Sequence, residues 1–322
     1  MKRSTEIGTD ILRAANELRN GELVAIPTET VYGLAGNALE RESVIKIFEA
    51  KNRPQFDPLI IHTHASSEFE KYADFDPRIL TWVDQLSPGP ITYILKKKTI
   101  IPDLVTSGHD TVGLRIPRHP MTLELLKSLD FPLAAPSANP FGYVSPTRAS
   151  HVKDQLDGRL PYILDGGDAE VGIESTIIDL SSERPAVLRL GGFELAELEK
   201  VFEQKLEDIR LSSSQPNAPG MLHSHYAPGV QLSKLSIAEL KKQYPEKRIG
   251  ALRFSTYSEE LPNEAQILLS ESGSITEAAQ RLFMCLRQLD KTNWDVVSVE
   301  FAPEEGLGLA INDRLTRATH QQ

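Results

Sequence analysis

Short apolar runs alternate with stretches of helical periodicity through most of the chain, and this alternation restricts the fold more than any other feature. Brief apolar runs bounded by turn residues are typical of buried strands, whereas apolar positions three and four apart indicate amphipathic helices. Strands are predicted at residues 23–26, 59–61, 91–95, 112–116, 133–135, 162–164, 176–180 and 187–190. Helices are predicted at residues 5–20, 41–51, 77–86, 121–129, 148–156 and 194–202. The interleaving predicts an α/β fold with a largely buried sheet.

Some neighbouring strands of this sheet are expected to be antiparallel. Residues 166–175 and 181–186 connect predicted strands but are too short to contain a crossover helix. The expected architecture is therefore an open, mixed parallel and antiparallel sheet with flanking helices.

The composition indicates more than one domain. A chain of 322 residues with 40% apolar content is long enough for one large core and a second, smaller one. Residues 207–230 are rich in Pro, Gly and Ser, as linkers are, but also contain two histidines and a tyrosine. Predicted strands at 248–254, 265–269 and 296–301 surround a predicted helix at 275–289. We therefore predict a large catalytic domain at 1–206, a linker at 207–230 that folds back over the active-site cleft of that domain, and a small Rossmann-like α/β domain at 231–322.

Charge and cysteine content exclude several classes of protein. A formal net charge of -10 argues against a protein that coats nucleic acid, although a local basic cleft remains compatible with it. The single cysteine, Cys285, excludes an intramolecular disulfide and any multi-cysteine metal site, and its apolar surroundings predict a buried thiol. No apolar stretch has the length of a signal peptide core or a membrane span, so a cytoplasmic protein without membrane contact is expected.

Polar turns follow several predicted strands, at positions where α/β proteins bind ligands. The segment Pro27-Thr28-Glu29-Thr30-Val31-Tyr32-Gly33-Leu34 follows the first strand, and Lys51-Asn52-Arg53-Pro54 ends the second helix. Pro136-Ser137-Ala138-Asn139 and Glu174-Ser175-Thr176 repeat the pattern. The chain has no phosphate-binding glycine loop, so a phosphate ligand would need basic side chains instead. The candidate basic residues at element ends are Lys51, Arg53, Arg115, Arg118, Arg148 and Arg189.

Each of these residues also has an ordinary structural explanation. Single basic residues are usually solvated surface charges, and Ser137 and Ser175 have the character of turn or capping residues. His62, at a strand end, fits a rim histidine, or a neutral imidazole that accepts a hydrogen bond from a small substrate. No hydrolase triad or zinc motif is present, and His223 and His225 are not expected to bind a metal. A magnesium ion carried by nucleotide phosphates is the more natural expectation.

Five motifs, in their order and spacing, resemble the YrdC-like family of threonylcarbamoyl-adenylate synthases. They are Pro27 to Leu34, the pattern Lys51-x-Arg53-Pro54-x-x-x-Pro58-Leu59-x-x-His62, Leu114-Arg115-x-Pro117, Pro136 to Asn139, and Ser145-Pro146-Thr147. The tail motifs Pro219-Gly220-Met221, His225-Tyr226-Ala227-Pro228 and Gly306-Leu307-Gly308-Leu309-Ala310 are similar to the longer family members with an extra C-terminal domain.

The resemblance implies a YrdC-like fold and a nucleotidyltransferase reaction. L-threonine, bicarbonate or CO2, and ATP would give L-threonylcarbamoyl-AMP and pyrophosphate, with Mg2+ accompanying the nucleotide. The product would serve N6-threonylcarbamoylation of adenosine 37 in tRNAs that read codons beginning with A. The implied partners are the downstream tRNA threonylcarbamoyl-transferase proteins, with a possible contact to tRNA or double-stranded RNA.

The resemblance also assigns residues. Thr30, His62, Arg115, Ala135 and Ser175 match family positions around threonine. Lys51, Arg53, Asp57, Thr111, Ser137, Ser145, Arg189 and Tyr226 match the basic motif and positions around ATP. No nucleophile is evident, so positioning and electrostatics by Lys51, Arg53 and Arg115 would carry the reaction, with no metal ligand from the protein.

One residue departs from the family pattern. Asp57 stands where the family usually has Asn or Lys, and a carboxylate near phosphates is unfavourable without an intervening cation. Asp57 would contact the nucleotide through its backbone, ribose or base, or help to hold magnesium.

Two other functions are compatible with such a domain. A non-catalytic RNA-binding module would use the basic cleft for a nucleic-acid backbone, although the net charge argues against it. A carbamoyl-transfer module of hydrogenase maturation would carry acylphosphatase-like and zinc-finger regions, and neither motif set is present.

Overall fold

The computed structural model describes residues 4–54, 57–208 and 226–320. These residues form two compact units. The first unit contains residues up to 141, then 145–170 and 174–208; the second contains 142–144, 171–173 and 226–320. The part of the predicted linker at 209–225, with His223 and His225, lies outside the described residues.

The first unit is built on one large sheet, whose described strands number twelve. They are β1 (Glu6–Gly8), β2 (Val24–Ile26), β3 (Gly33–Asn37), β4 (Ile60–His62), β5 (Ala73–Asp74), β6 (Ile91–Lys97), β7 (Thr111–Arg115), β8 (Leu133–Ala134), β9 (Tyr162–Leu164), β10 (Thr176–Asp179), β11 (Ala186–Arg189) and β12 (Glu207–Asp208). Their order is β1-β9-β2-β3-β8-β4-β7-β6-β10-β11-β12, with β5 beside β6.

Parallel and antiparallel pairs alternate irregularly across this sheet. β4 and β7 are parallel, with His62 opposite Arg115, whereas β8 is antiparallel to both β3 and β4. β10 and β11 are antiparallel, as the short 181–186 connection predicts. β9 and β10, joined by residues 166–175, are not neighbours, because β9 lies between β1 and β2. The predicted mixed sheet is confirmed.

Helices flank this sheet. They are α1 (Ile11–Arg19), α2 (Arg41–Lys51), α3 (Phe69–Tyr72), α4 (Arg78–Leu86), α5 (Asp103–Thr106), α6 (Pro120–Ser128), α7 (Ala149–Leu156) and α8 (Leu195–Phe202), with a 3-10 turn at Ser66–Glu68. Helices α1 and α6 bury Ala14, Leu18 and Leu125 against β2, β8 and β9. The resulting core supports the ends of the strands that carry the predicted site residues.

Two sequence predictions in this unit are wrong in detail. The helix predicted at 5–20 begins only at Ile11, because Asp10 caps its N-terminus by accepting a hydrogen bond from the Arg13 amide. The preceding residues form β1 instead, which pairs with β9. The second error concerns β3, because its first residues, Gly33 and Leu34, belong to the segment predicted as a polar turn. Its glycines weaken the strand pattern in the sequence, because glycine is uncommon in strands. A Cβ at Gly36 would lie 2.7 Å from Ser43 Oγ, so packing against α2 favours glycine there.

The second unit is a small parallel α/β fold, as predicted. Its described strands, in the order β13-β16-β14-β15, are β13 (Gln231–Ser233), β14 (Ile249–Arg253), β15 (Gln266–Leu268) and β16 (Val296–Val299). Its helices are α9 (Ile237–Gln243), α10 (Ile275–Leu289) and α11 (Gly308–Thr319), with a 3-10 turn at Asn263–Ala265. Cys285 of α10 is buried, as predicted. Helix α11 begins at Gly308, where a Cβ would lie 1.9 Å from the Pro303 carbonyl oxygen, so this close approach requires glycine.

Candidate functional site

The loop between β2 and β3 is a closed network of hydroxyl groups. Thr28 Oγ1 donates to the Val31 carbonyl oxygen at 2.6 Å and lies 2.8 Å from Thr30 Oγ1. Because the Thr28 proton is used on Val31, Thr30 must donate to Thr28 and accept from elsewhere. The amides of Thr30 and Val31 also donate to Thr28 Oγ1, both at 3.2 Å. Thr28 therefore fixes the orientation of the predicted threonine-binding residue Thr30.

Arg115 joins this loop to the end of β7. Its Nη2 atom donates to Thr30 Oγ1 and to Glu29 Oε1, each at 2.8 Å. The other Glu29 oxygen accepts from the Arg118 amide at 3.0 Å. Arg115 and Glu29 are both buried, and Arg115 Nε has no hydrogen-bond partner among the described residues. The guanidinium is thus an oriented, partly unsatisfied donor.

His62 lies beside Arg115, on the adjacent strand. The ring is buried, and its Nδ1 atom has no hydrogen-bond partner in the described part of the chain. Burial, reinforced by the nearby Arg115 charge, lowers the pKa of His62 to about 3. His62 is therefore a neutral imidazole at physiological pH and supplies hydrogen bonding without charge.

Lys51, at the end of α2, is buried beneath the turn that follows β8. Its ammonium donates to the carbonyl oxygen of Ser137 and, at 2.6 Å, to that of Asn139. Burial lowers the pKa of Lys51 well below its usual value; Arg53 acts in the same direction and Asp57 opposes it. Two of the three N–H donors of the ammonium bond to the Ser137 turn. Lys51 therefore fixes the conformation of this turn, in addition to the positive charge that its protonated form contributes.

Arg53 and Asp57 form a buried ion pair. Arg53 Nη2 lies 2.9 Å from Asp57 Oδ2 and donates to the Pro58 carbonyl oxygen at 2.8 Å, while Nε donates to the Asp57 carbonyl oxygen at 3.1 Å. Burial raises the pKa of Asp57, against the opposing charges of Arg53, Lys51 and Arg189. Asp57 is thus the counter-ion of a cation cluster.

Arg189 completes this cluster and connects it to Ser175. Its Nε and Nη2 atoms donate to the Ser175 carbonyl oxygen at 3.0 and 2.9 Å, and Nη2 also reaches Ser175 Oγ at 3.1 Å. Ser175 Oγ lies 2.8 Å from Thr92 Oγ1. A Cβ on Gly191 would lie 2.3 Å from the Ser175 carbonyl carbon, so this approach requires glycine. Ser175, assigned to threonine, is bonded to a residue assigned to ATP.

The remaining predicted residues occupy several positions. The Ala135 amide donates to the Ile60 carbonyl oxygen at 3.0 Å, which places Ala135 next to β4. Ser145 Oγ donates to Glu174 Oε1 at 2.6 Å, and Thr111 begins β7. Tyr226 belongs to the second unit, where its buried ring stacks on Phe283 with centroids 5.5 Å apart.

Sequence reasoning missed four residues of this arrangement: Thr28, Glu29, Thr92 and Glu174. Each forms a hydrogen bond with a predicted residue. Thr28 bonds to Thr30 and Glu29 to Arg115. Thr92 bonds to Ser175 and Glu174 to Ser145. Thr28, Glu29 and Glu174 lie inside polar segments that the sequence already indicates as ligand-binding turns, so their position there was an available signal. Thr92 lies within an apolar strand, and nothing in the sequence distinguishes it.

The described residues do not fit a magnesium ion held by the protein. Asp57 Oδ1 has no hydrogen-bond partner among them, but Lys51, Arg53 and Arg189 all act electrostatically on this carboxylate. A divalent cation beside Asp57 would therefore be repelled by neighbouring cations. Within the described ranges, no group of three or more His, Cys, Asp or Glu residues is arranged to hold a metal.

A separate cavity of about 660 Å³ lies in the first unit, next to α4. It is lined by Trp82, Lys96 and Glu183, among others, and contains none of the predicted site residues. Its size alone does not make it the functional site, because the converging buried charges lie elsewhere.

Two family models match successive parts of the chain. The model of the Sua5, YciO and YrdC family, described as telomere recombination, matches residues 16–191. The chain belongs to this family. A second model, described as the threonylcarbamoyl-AMP synthase C-terminal domain, matches residues 193–319. The resemblance inferred from the five motifs is confirmed.

Relatives of this family are similar over nearly the whole chain. The threonylcarbamoyl-AMP synthase of Pyrococcus abyssi is 39% identical in an alignment of 325 positions that covers 95% of this chain and 93% of the relative. That of Bacillus subtilis is 38% identical, over 96% of this chain and 92% of the relative. The crystal structure of P. abyssi Sua5 complexed with L-threonine superposes with a TM-score of 0.89 at 37% identity and covers 98% of each chain. In the described part of this chain, no helix has both the length and the apolar character needed to cross a bilayer.

Proposed function

We propose that this chain is an L-threonylcarbamoyladenylate synthase, which converts L-threonine, bicarbonate or CO2, and ATP into L-threonylcarbamoyl-AMP and pyrophosphate. The observation that carries this proposal is the pairing, in one unit, of two kinds of buried site. One is the Arg115, Thr30 and His62 group, and the other is the cation cluster of Lys51, Arg53 and Arg189. The first suits an amino acid and the second suits a triphosphate.

The amino-acid half would bind by charge and shape. Arg115 has an unsatisfied buried Nε donor, which suits a substrate carboxylate, because guanidinium and carboxylate groups pair in a planar geometry. Neutral His62 and the Thr30 hydroxyl would orient polar groups of threonine without adding charge. Ser175 and Ala135 would form the neighbouring wall.

The nucleotide half would act electrostatically. The threonine ammonium would first lose a proton, and the neutral amine would then add to CO2 and release a second proton to give a carbamate. An oxygen of this carbamate would attack the α-phosphorus of ATP. A carbamate oxygen to phosphorus bond forms as the bond to pyrophosphate breaks, so negative charge builds up on the leaving group. Arg53 and Arg189, held in place by main-chain carbonyls, would stabilise that charge. Ser137, Ser145, Asp57, Thr111 and Tyr226 stay proposed positions around the nucleotide, and magnesium would arrive bound to its phosphates.

The proposal has a direct test in pyrophosphate release from ATP, with bicarbonate present and with threonine, serine or no amino acid added. We expect release to depend on threonine and to be slower with serine. Arg53→Gln should lower kcat/KM for ATP by roughly 10- to 100-fold, the worth of one charge-assisted hydrogen bond. Arg78→Gln is the matched control, because Arg78 is exposed and pairs with Asp76 away from the cluster. If neither amino acid stimulates release in the wild type, the synthase proposal fails.

The wider role follows from the same proposal. The product would supply a threonylcarbamoyl group to tRNA threonylcarbamoyl-transferase proteins that modify adenosine 37. We propose residues 1–206 as the catalytic domain and residues 231–322 as an accessory domain, joined by the segment 207–230. A non-catalytic RNA-binding function is not favoured, because the relatives matched over most of the chain are synthases and the chain is strongly acidic.

A further inference from the structure

We propose that Glu29 binds the α-ammonium group of the amino-acid substrate while Arg115 binds its carboxylate, so that the pair acts as a receptor for a zwitterion. This inference rests on the proposed function. Glu29 and Arg115 are opposite charges 2.8 Å apart, with side chains that are 2% and 6% exposed. Buried ion pairs contribute little net stability, because desolvation offsets their attraction, so stability alone does not account for such a pair.

Both partners have hydrogen-bonding capacity beyond the bonds they make to each other. An ionised carboxylate offers about four acceptor positions. Glu29 uses one on Arg115 and one on the Arg118 amide. A guanidinium has five donors, and those of Arg115 reach Glu29 and Thr30 while its buried Nε has no partner in the described residues. A ligand can therefore bind to both groups without leaving either existing partner unpaired.

Charge balance identifies the ligand. An amino acid adds no net charge to a site that is already neutral, whereas a simple carboxylate or a simple amine would leave a buried charge uncompensated. Among the described acidic residues, Glu29, Asp57 and Glu174 are buried. Asp57 pairs with Arg53 and Glu174 accepts from Ser145, so Glu29 is the buried acid next to Arg115.

His62 is the alternative acceptor for the ammonium group. Its Nδ1 atom has no partner in the described residues, and its low pKa keeps the ring neutral. A neutral acceptor distinguishes an ammonium from a hydroxyl group only weakly, whereas a buried carboxylate does so strongly. Selectivity for a charged amine therefore separates Glu29 from His62.

The experiment measures binding by isothermal titration calorimetry. The proteins are the full chain, Glu29→Gln and the control Glu22→Gln, which alters a half-exposed acid paired with Lys46. The ligands are L-threonine, L-threoninamide, which lacks the carboxylate, and the matching 2,3-dihydroxybutanoate, in which a hydroxyl replaces the ammonium. We expect Glu29→Gln to weaken threonine and threoninamide by about tenfold or more, the worth of one charge-assisted hydrogen bond, and dihydroxybutanoate by no more than about twofold. Glu22→Gln should behave as the wild type does.

Several outcomes would overturn the inference. If Glu29→Gln weakens threonine and dihydroxybutanoate equally, Glu29 acts only by positioning Arg115; if it weakens neither, Glu29 does not meet the substrate. Undiminished ATP binding verifies that the Glu29→Gln variant is folded. If that variant does not fold, the Glu29→Asp variant, with its shorter acidic side chain, replaces it in the experiment. An unchanged preference of Glu29→Asp for threonine over dihydroxybutanoate would contradict the inference. If threonine binding depends on Glu29 but the wild type releases no pyrophosphate, the result contradicts the proposed function and leaves the inference about Glu29 intact.

Discussion

His62 makes the stability of the first unit depend on pH in a direction and amount that follow from its burial. The imidazole is buried beside Arg115, and its pKa falls from the ordinary 6.5 to about 3. Protonation of His62 in the folded chain would place a second cation beside the Arg115 guanidinium in a buried site. The unfolded chain protonates His62 freely, so acid favours unfolding.

The magnitude follows from proton linkage. A group whose pKa is lowered by folding leaves the folded state unprotonated between the two pKa values, so the unfolded state binds more protons there. Stability is then fully present above pH 6.5 and is lost as the pH falls toward 3. Between pH 7 and pH 5 the unfolded state gains most of one proton, which costs about 2 kcal/mol of unfolding free energy.

The measurement is urea unfolding at pH 7 and pH 5, followed by tryptophan emission. The chain has two tryptophans, Trp82 in the first unit and Trp294 in the second, so a Trp294→Phe background restricts the signal to the first unit. In that background, His62→Asn and His62→Leu are compared with His62. Both variants should lose roughly 2 kcal/mol less than the parent between the two pH values.

The comparison of differences removes the contribution of every other titrating group, because these are shared by parent and variants. Using one polar and one apolar replacement separates titration from packing, since only the loss of the ionisable ring is common to both. Equal pH dependence in the parent and both variants would refute the reasoning, and it would mean that the folded chain accommodates a protonated His62.

Three further predictions concern the supporting residues. Thr28→Val should raise KM for threonine several-fold and destabilise the first unit by about 1–3 kcal/mol, because buried donors lose their acceptor, whereas Thr28→Ser should restore both. Asp57→Asn should cost about 3 kcal/mol of unfolding free energy by unpairing Arg53, without weakening ATP binding in calorimetry. Weaker ATP binding with unchanged stability would show instead that the side chain meets the nucleotide. Gly191→Ala should displace Ser175 and lower kcat/KM by at least about tenfold in the pyrophosphate assay, and normal rates would exclude that close approach.

Most of the sheet could be predicted because hydrophobic periodicity alone defines its elements. The helix α2 matches its predicted bounds, and so does β9. Failures occurred where tertiary packing decides the conformation. Strand β3 contains two glycines and no β-branched residue, and it is extended because β2 and β8 pair with it on both sides. Such pairing partners are distant in sequence, so no local pattern indicates them.

The site was predictable as a set of residues but not as a set of contacts. The motifs identified Arg115 and Lys51 as charges available to substrates. In the structure Arg115 is already paired with Glu29, and Lys51 already holds two main-chain carbonyl groups. The sequence lists charged side chains, whereas their partners depend on how loops from different strands meet. Glu29 illustrates this, because only the fold places its carboxylate against a guanidinium 86 residues away.

The cation cluster explains how an acidic chain can hold a polyphosphate. Arg53 and Arg189 donate to main-chain carbonyl oxygens, which fix the guanidinium groups without cancelling their charge. Asp57 neutralises only part of it, and arginine stays protonated at any physiological pH, so the cluster is positive whatever the state of Lys51. Burial and Arg53 together depress the pKa of Lys51, and the negative charge of a triphosphate would act in the opposite direction. Nucleotide binding in this proposal therefore favours the protonated form of Lys51. A charged ammonium makes stronger hydrogen bonds to the carbonyl oxygens of the Ser137 turn than a neutral amine does, so the turn is held most firmly while the nucleotide is bound.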